Sequence, residues 1–279
     1  MIRLPEGPHL SRRAAVAALG LAAVGTLASC AGDTHAAEAA LPPLATPAAH
    51  ADPAPPSLPA SAVASPPPSA PAPVPIPDYS IPPIRDGLVP VITRVATEQP
   101  AVFLTLDDGI TKSPQSVALL RQYGYPVTMF LAKNFVQENP GYFRDLMREG
   151  DFVENHTVSH DVTMWAKPYA YQLAEIQGMQ DYAHATFGRR PTLFRPPGGA
   201  YSNTMRKACA DAGIRALIDW EAKSDSGSMG YQYGNALRPG DIVLMHFRPE
   251  FAADLAAFRA AQLAAGLTVA NLERFIGAE

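Results

Sequence analysis

The chain has 279 residues, a formal net charge of −4 and an isoelectric point near 6.0, with no basic cluster in the part able to fold. A nucleic-acid partner therefore has no electrostatic support. Of the two cysteines, Cys30 and Cys209, only the second falls in that part, which excludes an internal disulfide, and the length suits one domain with a sizeable core.

Arg3, Arg12 and Arg13 precede an uncharged apolar stretch at residues 14–29. It is shorter than the about 20 residues of a comfortable membrane span and reads as an export signal. Ser11-Arg12-Arg13 leaves twin-arginine and general export both open. Leu27-Ala28-Ser29-Cys30 resembles a lipoprotein processing box, in which Cys30 becomes the lipidated first residue; ordinary cleavage after small residues is the alternative. Residues 1–30 are thus expected to export the protein, either anchored by lipid to the cell membrane and facing the wall, or secreted.

Residues 31–84 are rich in Ala, Pro and Ser, with 16 of the chain's 29 prolines between Pro42 and Pro83. Such a segment buries too little apolar surface to fold and is expected to be a disordered linker. Where polyproline-like it extends about 3.1 Å per residue and spans on the order of 100 Å.

The folded domain is expected over residues 85–279. Strand-like runs at residues 90–95, 101–106, 127–131, 152–154, 192–194, 216–218, 241–245 and 267–269 alternate with helical stretches near 113–123, 142–149, 169–187, 203–212 and 251–265. This rhythm predicts parallel strands with crossover helices and a site at the carboxyl ends of the strands. Cys209, in the fourth helix, reads as a small buried apolar residue.

Four motifs punctuate these elements. Thr105-Leu106-Asp107-Asp108-Gly109 ends a buried strand in two carboxylates. His156 and His160 share a face if residues 156–160 are helical. A borderline cation such as Zn²⁺ accepts two imidazoles and one carboxylate, leaving a position for a water whose pKa falls to about 7. Taken alone, Asp108 reads more readily as the cap of a helix starting near Thr111, and the histidines as a surface pair. Phe194-Arg195-Pro196-Pro197-Gly198-Gly199 joins a guanidinium to a stiff Pro-Pro and a glycine pair that allows close backbone approach. Residues 239–246 form a turn, a buried strand and then His246. Arg189-Arg190 reads as a solvated helix end and His184 as structural.

Together these motifs resemble the polysaccharide deacetylase family, the carbohydrate esterases with a NodB homology domain, over residues 100–275. The Thr-Phe/Leu-Asp-Asp-Gly, His-Ser/Thr-x-x-His, Arg-x-Pro-x-Gly and Leu-x-His motifs all occur in the family's order. The resemblance implies an irregular (β/α)₇ barrel, a single NodB-like domain, and a hydrolase of linear amides. It implies that Asp107 is the catalytic base and His246 the general acid. Asp108, His156 and His160 would bind a divalent metal, Zn²⁺ first, with Co²⁺ or another divalent ion possible. Arg195 would orient and electrostatically tune Asp107. Leu244 and Trp220 would line the acetyl pocket, and Pro197 and Gly198 the substrate side.

Two features depart from the family pattern. Gly198 stands where many members have an aromatic residue, so a sugar-stacking wall is missing while the backbone N–H for an oxyanion survives. The fourth motif is reduced to Asp219-Trp220-Glu221-Ala222-Lys223-Ser224-Asp225-Ser226, leaving Asp219 and Asp225 both open as the support for His246. The implied activity is removal of N-acetyl groups from amino sugars of a cell-surface polysaccharide, peptidoglycan favoured, by a monomer that meets the membrane only through its lipid. An O-acetyl esterase of acetylxylan type and an inactive carbohydrate-binding lipoprotein are the alternatives. For the anchor, metabolic lipid labelling with cell fractionation is the check: the parent should carry label in the membrane fraction, and Cys30→Ala should lose both.

Overall fold

The computed structural model describes residues 74–279 except Glu149, so Cys30 and residues 31–73 of the expected linker lie outside the described residues. The last part of that linker lies against the domain. Tyr79 and Ile81 pack on the core, and the Thr97 hydroxyl donates to Asp78 at 2.8 Å.

Seven parallel strands form the barrel wall: β1 (Val91–Ile92), β2 (Ala101–Asp108), β3 (Thr128–Leu131), β4 (Phe152–Asn155), β5 (Leu193–Phe194), β6 (Ala216–Ile218) and β9 (Ile242–His246), in the order β1-β6-β5-β4-β3-β2-β9. β7 (Ala222–Asp225) pairs parallel to β9 and antiparallel to β8 (Ser228–Tyr231), and β10 (Thr268–Val269) adds to the start of β2. This is the expected irregular barrel. No ladder closes the seam between β1 and β9; an Arg94–Asp241 bridge does, with Val95 N–H donating to Gly240 O at 2.9 Å. Gly240 is obligatory there, since its φ is +83° and a Cβ would stand 1.9 Å from Val95 O.

All eight residues of β2 are buried, as expected for a parallel strand covered on both faces. Successive side chains alternate between two cores. Val102, Leu104 and Leu106 point outward into an apolar layer with Val117 and Leu120 of α1 (Pro114–Tyr123), Phe143 and Leu146 of α3 (Pro140–Met147), and Leu255 and Phe258 of α6 (Phe251–Ala264). Ala101 and Phe103 point into the barrel with Phe130, Leu193, Ile218, Ile242 and Leu244. Phe275 of α7 (Leu272–Ile276) fills the amino end of that interior, edge-on to Phe103 at 5.0 Å. A third cluster lies between β5, β6, α4 (Tyr169–Phe187) and α5 (Asn203–Asp211) and includes the buried thiol of Cys209, as expected.

The eight expected strands and five expected helices are present within a few residues of their predicted ends. The β7–β8 hairpin, the short α2 (Lys133–Val136) and α7 were not anticipated. Residues 156–160 are not helical. They form a turn with Thr157 at φ +74° and His160 at φ +60°. Arg189 is not a solvated helix end either: it pairs with buried Glu154 at 2.8 Å and donates to Ala278 O at 3.1 Å.

That ion pair belongs to an acidic group within the barrel wall. Glu154 also accepts the N–H groups of Thr192 and Leu193, while Glu273 accepts the Thr128 hydroxyl at 2.7 Å. Burial raises both carboxyl pKa values, Glu154 to about 7, and the nearby Glu154 pushes Glu273 further up. The folded-state values lie above the unfolded ones. The neutral form therefore contributes stability that is complete below the ordinary Glu value of about 4.3 and fades as pH rises through about 7. Thermal denaturation should show the melting temperature falling over that window. Glu273→Gln, neutral at every pH and still able to accept from Thr128, should flatten the slope.

Candidate active site and metal centre

The inward alternation of β2 continues through Thr105 to Asp107, so the Asp107 carboxylate stands at the barrel mouth. Asp108 should by parity point outward. Its φ of +72° swings the chain instead, and both carboxylates reach one cleft. In the β2–β9 ladder Asp107 lies opposite His246, which follows the inward residues Ile242 and Leu244. The carboxyl ends of β2, β4, β5, β6 and β9 thus supply Asp107 and Asp108, His156, Arg195, Asp219 and His246, where sites form in barrels of this kind.

Arg195 is wholly buried at the centre of this cluster. Its Nη1 donates to Asp107 Oδ1 and to Thr105 Oγ1, both at 2.7 Å; Nε and Nη2 donate to the carbonyls of Ile218 and Asp219, both at 3.3 Å. The Thr105 hydroxyl in turn donates to Val243 O at 2.7 Å. The guanidinium lies 4.2 Å from the Phe130 ring centroid and 5.7 Å from that of Trp220. These contacts fix one oxygen of Asp107 and leave Oδ2 facing the cleft.

His156 Nδ1 lies 2.7 Å from Arg195 O, and a carbonyl can only accept, so Nδ1 carries the proton. In the neutral ring the Nε2 lone pair then faces Asp108 Oδ1 at 3.5 Å and Asp107 Oδ2 at 3.8 Å. His160 Nε2 faces the same Asp108 oxygen at 3.0 Å. That oxygen is buried and receives no hydrogen bond from a neutral donor. Electron-rich atoms converging this way need a cation or protons between them. Burial opposes charge on Asp108, yet its contacts with the two imidazoles outweigh burial and hold its pKa well below the usual carboxylate range. For His156, burial is likewise outweighed, by Asp107 and Asp108, and its pKa rises. One donor atom from each of Asp108, His156 and His160 lies within 4.8 Å of the others, which fits a three-ligand divalent site.

The loop carrying the histidines is built by side chains that the sequence did not single out. Asn155 Oδ1 accepts from Thr157 N–H at 2.9 Å, and Thr157 Oγ1 from His160 N–H at 3.0 Å. Glu175 on α4 accepts from the N–H groups of Val158 and Ser159, at 3.1 and 2.8 Å. No spacing rule flags Asn155 or Glu175. Thr105 was visible within its motif, and inward parity was the signal for its role.

The remaining predicted residues divide into two groups. Asp219 and Trp220 flank Arg195, and the Trp220 ring lies where a Gly199 Cβ would project, 2.7 Å away. Leu244 and Pro197 are buried. Gly198 has φ +69°, and its missing Cβ would meet Val162 at 3.6 Å. An aromatic residue in this slot would therefore meet a backbone cost of about 1–2 kcal/mol. Asp225 lies on the other flank, with Arg248 Nη1 at 4.0 Å; burial opposes its ionisation, but Lys223, Arg248 and His246 lower its pKa. His246 is thus among the groups that favour the charged form of Asp225. Burial lowers the His246 pKa despite the pull of Asp107 and Asp108.

Fold and site together describe an α/β barrel whose mouth gathers two adjacent carboxylates, a buried arginine and three histidines, the donor set of a metal-assisted hydrolase. The polysaccharide deacetylase profile matches residues 94–217. A family 4 carbohydrate esterase from Streptomyces lividans, solved with acetate, is 32% identical at TM-score 0.51, covering 61% of this chain and 91% of that one. An uncharacterized protein of Streptomyces coelicolor is 40% identical over 195 residues, 68% of this chain and 78% of that protein. A peptidoglycan-N-acetylglucosamine deacetylase from Bacillus cereus is 29% identical over 166 residues, 56% of this chain and 76% of that enzyme. The chain belongs to the polysaccharide deacetylases of carbohydrate esterase family 4.

Calorimetric titration of the purified protein with zinc should give one site per chain. His160→Ala should weaken it by at least on the order of tenfold, and His156→Ala/His160→Ala should abolish it. Full occupancy in the double variant would contradict the ligand assignment.

Proposed function

We propose that this enzyme removes N-linked acetyl groups from amino sugars of a cell-surface polymer, with peptidoglycan the favoured substrate. The observation that carries the reading is the unequal surroundings of two adjacent carboxylates. Asp107 is clamped by Arg195 and level with His246, whereas Asp108 faces two imidazoles.

In this reading Asp108, His156 and His160 hold a divalent cation, Zn²⁺ or Co²⁺. When bound, the cation supplies Lewis acidity, acidifying water and polarising the acetyl carbonyl. Asp107 takes the proton from the attacking water as general base. His246 delivers a proton to the amine nitrogen as the C–N bond breaks. Arg195 holds Asp107 in position, Asp225 supports His246, and the Gly198 N–H is assigned to the oxygen that gains negative charge. Trp220 and Leu244 form the apolar wall for the acetyl methyl, with Pro197 beside it.

Peptidoglycan is favoured because the export signal, Cys30 and the proline-rich segment would carry the domain outside the membrane while tethering it near the wall. The Bacillus cereus relative acts on that polymer. The same residues would cleave an O-acetyl ester with a sugar oxygen as leaving group, and similarity to a xylanase/xylan deacetylase of Cellvibrio japonicus supports testing acetylxylan too.

Acetate release by the metal-loaded protein, measured on N-acetylglucosamine polymers, peptidoglycan and acetylxylan, tests the reading. Asp107→Asn is nearly isosteric and should keep metal while losing at least about 10²-fold in rate. His246→Ala should lose a similar factor. A general acid works only when protonated, so activity should fall as pH rises through its pKa, and His246→Ala should lack that alkaline limb. Near-normal rates in Asp107→Asn would refute the base assignment.

A further inference from the structure

Arg248 lies two residues beyond His246, in the loop from β9 to α6. Its backbone is held on both sides. Phe247 is buried among Phe143, Tyr142 and Phe251, with ring centroids 5.6, 6.0 and 6.0 Å away, and its carbonyl accepts Thr111 N–H at 3.0 Å. Pro249 restricts residue 248 to extended conformations. The side chain, 42% exposed, therefore leaves a rigid base at the rim of the cleft.

Its guanidinium is near two carboxylates and bonded to neither. Nη2 is 3.8 Å from Asp108 Oδ2 and Nη1 is 4.0 Å from Asp225 Oδ1, both beyond hydrogen-bond distance. The contrast with Arg195, which spends its donors on four oxygens, is one of chemistry: Arg248 keeps its fork of N–H groups available. It also borders a recess of about 140 Å³ whose other walls mix polar Thr111, Ser113, Gln115 and Ser116 with apolar Leu119 and Phe251. Hydroxyl and amide groups beside a cation suit an anion carried on a sugar, and the recess is large enough for a carboxylate on a short side chain.

We infer that Arg248 is a specificity-determining residue that recognises a carboxylate borne by the glycan near the acetylated sugar. A guanidinium pairs with a carboxylate through two parallel N–H···O bonds, which fixes the strand's register as well as attracting it. Here that register sets which acetyl group faces Asp107 and His246. The proposal rests on the deacetylase reading and narrows its substrate to an acidic glycan.

The test uses the metal-loaded protein and two matched glycan strands of N-acetylated amino sugars: one whose alternate sugars bear lactyl-ether carboxylates, and the same strand with those carboxylates converted to methyl amides. The parent should prefer the carboxylated strand in kcat/KM by roughly tenfold or more, mainly through KM, and the preference should shrink with salt. Arg248→Gln should bring the ratio close to one, and Arg248→Lys should retain part of it. An oligomer carrying hexuronate in place of the lactyl ether distinguishes the source of the carboxylate; equal preference for it means that the charge is read and its attachment is not. Dissociation constants for the same strands, measured by calorimetry, give a readout independent of turnover, so an inactive protein that still distinguishes the strands through Arg248 would sink the deacetylase reading alone. No preference in the parent, or an unchanged preference in Arg248→Gln, overturns the proposal.

Discussion

The site depends on one buried guanidinium. Arg195 has no solvent exposure, yet it reaches Asp107, Thr105, Ile218 O and Asp219 O at once, and its own carbonyl accepts the hydrogen bond of His156 Nδ1–H. One residue thus orients the carboxylate assigned as base and the imidazole assigned as ligand. Buried ion pairs are poor stabilisers, because desolvation consumes most of the attraction, whereas removing one partner costs about 3–5 kcal/mol. The arrangement is therefore explained by what it does to Asp107 and His156. Phe130 and Trp220 enclose the guanidinium, keep water away and strengthen each contact.

Around that fixed point the backbone is strained. Asp108, Thr157 and His160 are three of only five non-glycine residues with positive φ among the described residues, and all three lie in the candidate metal site or the turn that builds it. Each such residue costs on the order of 1–3 kcal/mol and persists only when its surroundings over-determine it. Here the surroundings are the side chains of Asn155, Thr157 and Glu175, which take up four N–H groups of the turn. The strain brings the Asp108 carboxylate and two imidazoles together from short segments of two different strands.

Much of this was legible in the sequence, because the signals were local. Continuous apolar runs ending in Asp107, Arg195 and His246 announced buried parallel strands with polar ends. What failed was non-local. The spacing of His156 and His160 is that of a helical turn, but the partners that hold the loop open include Glu175 on α4, which no spacing rule reveals. Residues 222–231 lack apolar alternation and contain Gly227 and Gly230; they become a hairpin because β9 offers β7 a free edge. Arg189 looked solvated because its partner Glu154 lies 35 positions earlier in the chain.

The central claim is that neighbouring aspartates are divided in role, Asp108 for the cation and Asp107 kept by Arg195 for protons. Anomalous scattering at the zinc edge from crystals grown with zinc tests this most directly. The expected map has one peak per chain, coordinated by Asp108, His156 Nε2 and His160 Nε2, with Asp107 still paired to Arg195 and outside the coordination shell. A peak ligated by Asp107, or one that leaves either histidine uncoordinated, would contradict it.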